Sequence, residues 1–418
     1  MATLQNALQI VLMFFVLVSI HEWGHYYFAK RAGILVREFA IGFGPKLVSF
    51  KRGETRYTLR LLPIGGFVRM AGEDPEIVQI NPGQRIALKL EDGRSTHLYL
   101  NEFEQRSGAL EGVVEKIDLE KDLFVRLDVD GDVQRYPIDP QALMVSKDKE
   151  TQIAPLDRQF GSKTVGQRAL SIAAGPVMNF LLAFVLFVTV VFMAGVPDKV
   201  KIMDTVPGSP AQKAGLQAGD LILNVNGEPI GADRNKLTSQ IKQSVNKPMI
   251  WIIERNKEQM RKEVVPAEDQ GSGKIGVTLT AETRPASLSE GITNGWSSMT
   301  SATASILDSF GKLVTLQFKM EDMAGPVGIV KFTSEQASAG WAQYIFWAGL
   351  LSLYLGIFNL LPFPALDGSR LVFLLLEAVR GKPVDPSRES MVHFVGFAML
   401  MLLMIAVTYN DILRLIKG

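Results

Sequence analysis

Cysteine is missing from all 418 residues, and histidine occurs only four times. With no thiols there is no disulfide to mark an oxidising compartment, and any metal must be held by imidazoles and carboxylates. Charge is thin and balanced: charged residues are 21% of the chain, and 44 Lys and Arg against 43 Asp and Glu leave a net charge of +1. Neither that balance nor any basic block argues for nucleic acid as a partner. No fixed-period repeat or low-complexity tract appears. What is abundant is apolar surface, 47% of residues, too much for a purely soluble protein, while the charged remainder suffices for sizeable aqueous parts. A mixed membrane and soluble architecture follows.

Four segments offer the roughly 20 mostly apolar residues that a 30 Å hydrocarbon core requires: Asn6–Ala29, Ala169–Val196, Trp341–Phe363 and Met391–Tyr409. The first reads as a retained span rather than a cleaved signal, because Met1–Asn6 carries no basic residue and no small-x-small pattern precedes Lys30. Basic residues crowd one side. Lys30, Arg31, Arg37, Lys46 and Lys51 follow the first span, Arg158, Lys163 and Arg168 precede the second, and Arg370, Arg380, Lys382 and Arg388 separate the third from the fourth. Those segments are expected in the cytosol, with Arg414 and Lys417 in weak disagreement. Span parity then puts the ends of spans one and three on the same face.

After the first span, Gly42-Phe43-Gly44-Pro45 leads to a near-alternating strand, Arg56–Leu62, which Pro63-Ile64-Gly65-Gly66 turns into Phe67–Met70. From about Glu73 to Lys163 the chain is polar and strand-like, a β-rich insert. Lys201–Pro285 reads as one soluble domain. It runs strand, short capped helix ending at Gly215, strand, then an Asn226-Gly227 turn, and resembles a PDZ domain. Ile292, Trp296, Met299, Ala302, Ile306, Phe310 and Leu313 recur every three or four residues, which predicts an amphipathic helix on a membrane surface or an ordinary connecting helix.

The chemistry centres on His21-Glu22-Trp23-Gly24-His25. On a helix, positions i and i+4 share a face, so both imidazoles can reach one ion while Glu22 sits beside them as a general base for water. Such a pattern also arises by chance. Inside an apolar span, however, each of these groups costs on the order of a few kcal/mol, which argues against an accident facing lipid. A catalytic zinc usually has three protein ligands, so a carboxylate is sought. Asn359-Leu360-Leu361-Pro362-Phe363-Pro364-Ala365-Leu366-Asp367-Gly368 ends the third span, with two prolines bringing Asp367 to the boundary on the face that holds His21 and His25. Alone, Asp367 would read as a helix-terminus acid or a partner of Arg370; the shared face and the missing ligand favour the metal. His97 and His393 have no partner at useful spacing and read as surface and packing residues.

Taken together, HEWGH, GFGP with its strand pair, the PDZ-like domain and NLLPFPALDG resemble the site-2 protease family of intramembrane zinc metalloproteases over nearly the whole chain. The single PDZ domain and the insert are similar to the Gram-positive branch. The resemblance implies a polytopic α-helical membrane protein with four transmembrane helices, a membrane re-entrant β-hairpin, a β-rich cytosolic insert and an extracytoplasmic PDZ domain of α+β type. Its expected segments are residues 1–29 (first span), 30–72 (GFGP segment and hairpin), 73–165 (insert), 166–196 (second span), 197–286 (PDZ domain), 287–340 (amphipathic helix and linker), 341–368 (third span), 369–390 (loop) and 391–411 (fourth span). His21, His25 and Asp367 would bind one Zn2+, with Glu22 as catalytic base. Asn359 would hydrogen-bond the substrate backbone or the oxyanion, or else only a neighbouring helix. A helical substrate must unwind to expose a peptide bond, and Tyr57, Leu59, Leu61, Gly65 and Gly66 would offer it a strand edge in the bilayer; an ordinary hairpin is the alternative. The expected place is the bacterial cell membrane, with the metal near the cytosolic face.

The expected partners are the lipid bilayer and single-span proteins such as anti-sigma factors, remnant signal peptides and pheromone precursors, with a peptide ligand or size filtering at the PDZ domain. The competing reading is a non-proteolytic zinc-binding PDZ scaffold, which has no need of Glu22. A transporter would show paired broken helices and an internal repeat, and this sequence has neither.

Overall fold

The four apolar runs all become helices long and apolar enough to cross a membrane: Leu4–Arg31, Val165–Ala194, Trp341–Leu360 and Ser387–Arg414. The computed structural model describes residues 2–73, 80–101, 108–147, 149–315, 317 and 324–417. In chain order α1 (Ala2–Arg31) leads to β1 (Val36–Arg52), β2 (Thr55–Met70), β3 (Arg85–Glu91), β4 (Arg94–Tyr99), β5 (Leu110–Asp118), β6 (Phe124–Val129), β7 (Asp132–Ser146) and β8 (Lys149–Gln152). Next come α2 (Val165–Ala194), β9 (Val196–Thr205), α3 (Pro210–Lys213), β10 (Leu221–Val225), β11 (Glu228–Pro229), α4 (Arg234–Gln243), β12 (Met249–Arg255), β13 (Glu258–Val264), β14 (Ala267–Asp269), β15 (Ser272–Lys274) and β16 (Val277–Arg284). The chain closes with α5 (Leu288–Val314), α6 (Pro326–Ala339), α7 (Trp341–Leu360), α8 (Asp367–Arg380) and α9 (Pro386–Lys417). It forms two compact units, residues 1–185 with 301–418, and residues 186–300.

In the first unit, β1 and β2 each bend midway. Phe50 lies opposite Tyr57 and Lys46 opposite Arg60, while Ala40 lies opposite Phe67 and Ile41 opposite Gly66. Phe39 also lies opposite Tyr57, and Ala40 opposite Thr58, so residues 38–41 are paired on both sides. The two strands therefore make a sheet of four segments in the order 46–52, 55–60, 36–41 and 66–70. This corrects the expected substrate edge. Tyr57 and Leu59 sit in an inner segment whose backbone is already paired, and the free edge near α1 belongs to residues 66–70.

The turn at Gly53-Glu54 is clasped from outside: Glu54 accepts hydrogen bonds from Arg158 and from Gln152 (2.9 Å), and lies 3.8 Å from Lys30. The insert is a small barrel. Its strands run β4-β3-β5-β6-β7-β8, and β4 also pairs with β7, which closes a ring of five strands and leaves the short β8 paired on one side. Ile86, Leu88, Leu98, Val125 and Leu127 fill it, the inward set of a period-2 pattern.

The second unit has a sheet in the order β13-β12-β10-β9-β16. Ser209 caps α3 by accepting from the Gln212 N–H, and Asn226 takes the left-handed conformation (φ 53°) that its turn requires. Val200, Ile202, Leu216, Ile222 and Trp251 pack the core. Buried Asp220 takes two hydrogen bonds from Arg255, at 2.7 and 2.8 Å. A cavity of about 330 Å3 lies between α4 and β16. On α5, Ile292 and Trp296 are exposed and Ile306 is buried; the Leu313 side chain lies outside the described residues.

Candidate metal centre

His21 and His25 lie one turn apart on α1 with Glu22 next to His21, each less than a tenth exposed. Asp367 reaches them because α7 stops at Leu360, the Leu361–Leu366 segment with its two prolines cannot continue it, and α8 begins at Asp367. Ala365 in that segment takes φ 74°, and its N–H donates to His393 Nδ1 at 3.0 Å. A carboxylate in the first turn of α8 also meets the favourable end of the helix dipole.

Three ligand atoms converge. Nε2 of His25 is 3.2 Å from Nε2 of His21, and Asp367 Oδ2 is 3.3 Å from the first ring and 3.4 Å from the second in chain order. A tetrahedral ion with bonds of about 2.0–2.1 Å would separate its ligands by roughly 3.3 Å, so the three atoms fit one face of such a tetrahedron. Oδ2 is buried with no hydrogen-bond partner, a costly arrangement unless a cation completes it. Arg370 pairs with Glu73 instead of Asp367.

The surroundings are built as tightly. His25 Nδ1 is 2.9 Å from the Ser171 carbonyl on α2, and His21 Nδ1 is 3.0 Å from the side chain of fully buried Asn179 on the same helix. A Cβ on Gly66 would stand 2.7 Å from Glu22 Cγ and 3.1 Å from its Oε1, so the edge segment lies directly against the expected base. A cavity of about 620 Å3 opens here, lined by the four α1 and α8 residues together with Gly65, Gly66, Val68 and Asn359. Asn359 already donates its amide N–H to the Leu355 carbonyl at 3.0 Å. Tyr57, Leu59 and Leu61 are not among the described residues lining the cavity. Tyr57 packs inside the sheet, its hydroxyl 2.7 Å from that of Tyr26, and Leu61 is exposed.

Sequence reading passed over Ser171, Gly175 and Asn179. The signal for Asn179 was available as an amide within an otherwise apolar span. His97 stacks on Tyr99 in the barrel, and His393 serves the loop before Asp367 through Ala365.

The model of Peptidase family M50 matches residues 9–403. A protein named zinc metalloprotease RasP, from Oceanobacillus iheyensis, is 43% identical over 418 residues, which cover 97% of this chain and 98% of that protein. Regulator of sigma-W protease RasP from Bacillus subtilis is 42% identical over 412 residues, 97% of each chain. Probable protease eep from Enterococcus faecalis is 39% identical over 425 residues, 98% of this chain and 99% of its own.

Proposed function

The chain belongs to peptidase family M50, and from that premise we propose that His21, His25 and Asp367 hold its zinc while Glu22 is the general base for hydrolysis of a peptide bond within the membrane. It is an intramembrane zinc metalloendopeptidase of the site-2 type. The observation that carries the residue assignment is the convergence of two Nε2 atoms and an unpartnered carboxylate oxygen at tetrahedral spacing. Zinc bound there supplies a Lewis acid at the scissile carbonyl and makes water acidic near neutral pH. Glu22, buried beside those residues, would accept a proton from the attacking water at its carboxylate and return it to the leaving amine. The segment 66–70 pairs with the unwound substrate, so that its backbone groups are satisfied in a medium with no water to do so. Gly65 and Gly66 bring this edge against Glu22, and Asn359 faces the same cavity from α7.

The substrates we propose are single-span proteins already shortened outside the membrane, among them anti-sigma factors, as the name of the Bacillus subtilis relative suggests, together with remnant signal peptides and pheromone precursors. The distribution of Lys and Arg supports a metal near the cytosolic face and the unit of residues 186–300 outside. The groove between α4 and β16 supports a peptide end as the ligand of that unit.

Glu22→Gln distinguishes this reading from a zinc-holding scaffold. Purified in detergent, the variant is expected to keep one zinc per chain and to lose cleavage of a single-span substrate by about 100-fold or more; in membranes, short single-span fragments accumulate. Unchanged cleavage would remove Glu22 from the mechanism.

A further inference from the structure

Both imidazoles of the metal centre face α2 with their second nitrogen, and the two partners there differ in kind. The Ser171 carbonyl can only accept, so His25 carries its proton on Nδ1 and presents the lone pair of Nε2 to the ion. Asn179 offers an amide, which has a donor and an acceptor that a half-turn about Cβ–Cγ exchanges. Its Nδ2 stands 3.0 Å from His21 Nδ1, while its Oδ1 is buried with no hydrogen-bond partner. A ring that ligates through Nε2 needs an acceptor at Nδ1, so the oxygen is the amide atom that fits a zinc-bound His21. The half-turn costs no existing bond at Oδ1. The amide is also held in place: Asn179 is 0% exposed, and its backbone carbonyl accepts from the hydroxyl of Ser352 on α7 at 2.8 Å.

Resting on the zinc reading above, we infer that Asn179 is a positioning residue for the metal: its side-chain oxygen accepts from His21 Nδ1–H, fixing the tautomer and ring plane in which Nε2 binds zinc. α2 thus contributes no ligand and yet sets the proton position on both imidazole ligands, with a main-chain carbonyl for one and a side-chain amide for the other. Outer partners of this kind are worth roughly 10- to 100-fold in metal affinity.

The test is zinc retention by the full chain in detergent, followed by the release rate to a chromophoric chelator and the visible spectrum of the cobalt-substituted protein. Asn179→Leu, with the same branching and no acceptor, is expected to release metal about 10- to 100-fold faster and to alter the cobalt spectrum. Asn179→Asp, which can only accept from Nδ1–H, is expected to stay within about threefold of wild type. Wild-type retention by Asn179→Leu would make the residue mere packing, and rapid loss from Asn179→Asp would show that the amide donates; either result overturns the inference. If Asn179→Leu does not fold, Asn179→Asp decides alone. Absence of zinc from the wild-type protein would instead strike the parent reading, so the two failures are separable.

Discussion

Gly175 faces His25 so closely that a Cβ added to it would stand 2.2 Å from Nε2. The atom that would clash is the one that meets His21 and Asp367, so the ring cannot yield without leaving the ligand triangle. Gly175→Ala is expected to insert and fold, to lower zinc affinity about 10- to 100-fold, and to reduce cleavage by about 100-fold, the effect of a displacement near 1 Å at a reacting centre. Zinc content after a fixed chelator challenge is the measurement; full retention would mean that α2 moves to accommodate the methyl.

Asp367→Asn keeps the size of the side chain and removes the charge that offsets the ion. Zinc retention is expected to fall well below that of wild type, and added zinc is expected to restore activity to chelator-stripped wild type but not to this variant. Metal analysis with an add-back assay reads both. A variant that binds zinc normally would place the third ligand elsewhere.

Gly66→Ala tests the edge segment. A methyl there meets the Ala40 carbonyl and Glu22 Cγ, both at 2.7 Å, so either the edge swings out or Glu22 tilts. Cleavage is expected to drop by about tenfold or more with zinc content unchanged, since Gly66 touches no ligand. Loss of zinc in step with activity would show that the segment supports the metal instead of the substrate.

What the sequence made legible followed from how local each signal was. His21 and His25 need only one helical period, and Asp367 needed that period plus the parity of spans. The sheet of β1 and β2 was less accessible because residues 38–41 pair with 56–59 and with 66–69 at once. Alternation along Arg56–Leu62 fits an inner segment as well as an edge, so it does not tell which segment of the sheet carries the free edge. The barrel closes through β4 and β7, a pairing that no local pattern announces. Asn179 is polar within an apolar span, but a partner on another helix is not readable from spacing.

The barrel is tied to the hairpin where Arg158 meets Glu54. Hydrogen bonds from Arg158, opposed by partial burial and helped by Gln152 and by the charges of Arg158 and Lys30, bring the Glu54 carboxyl down from 4.5 to about 2. A carboxyl lowered on folding contributes stability that is complete above 4.5 and fades as pH falls toward 2, because protonation then removes the acceptor in the folded state. At pH 7 amide exchange in residues 149–160 is expected to be slow. Corrected for intrinsic rates, it is expected to accelerate below about pH 4 in wild type. Arg158→Met should exchange fast already at pH 7 and lose most of that acid dependence. An acid dependence as steep in the variant as in wild type would place the titrating group elsewhere, and Glu54 would then be one surface carboxylate among many.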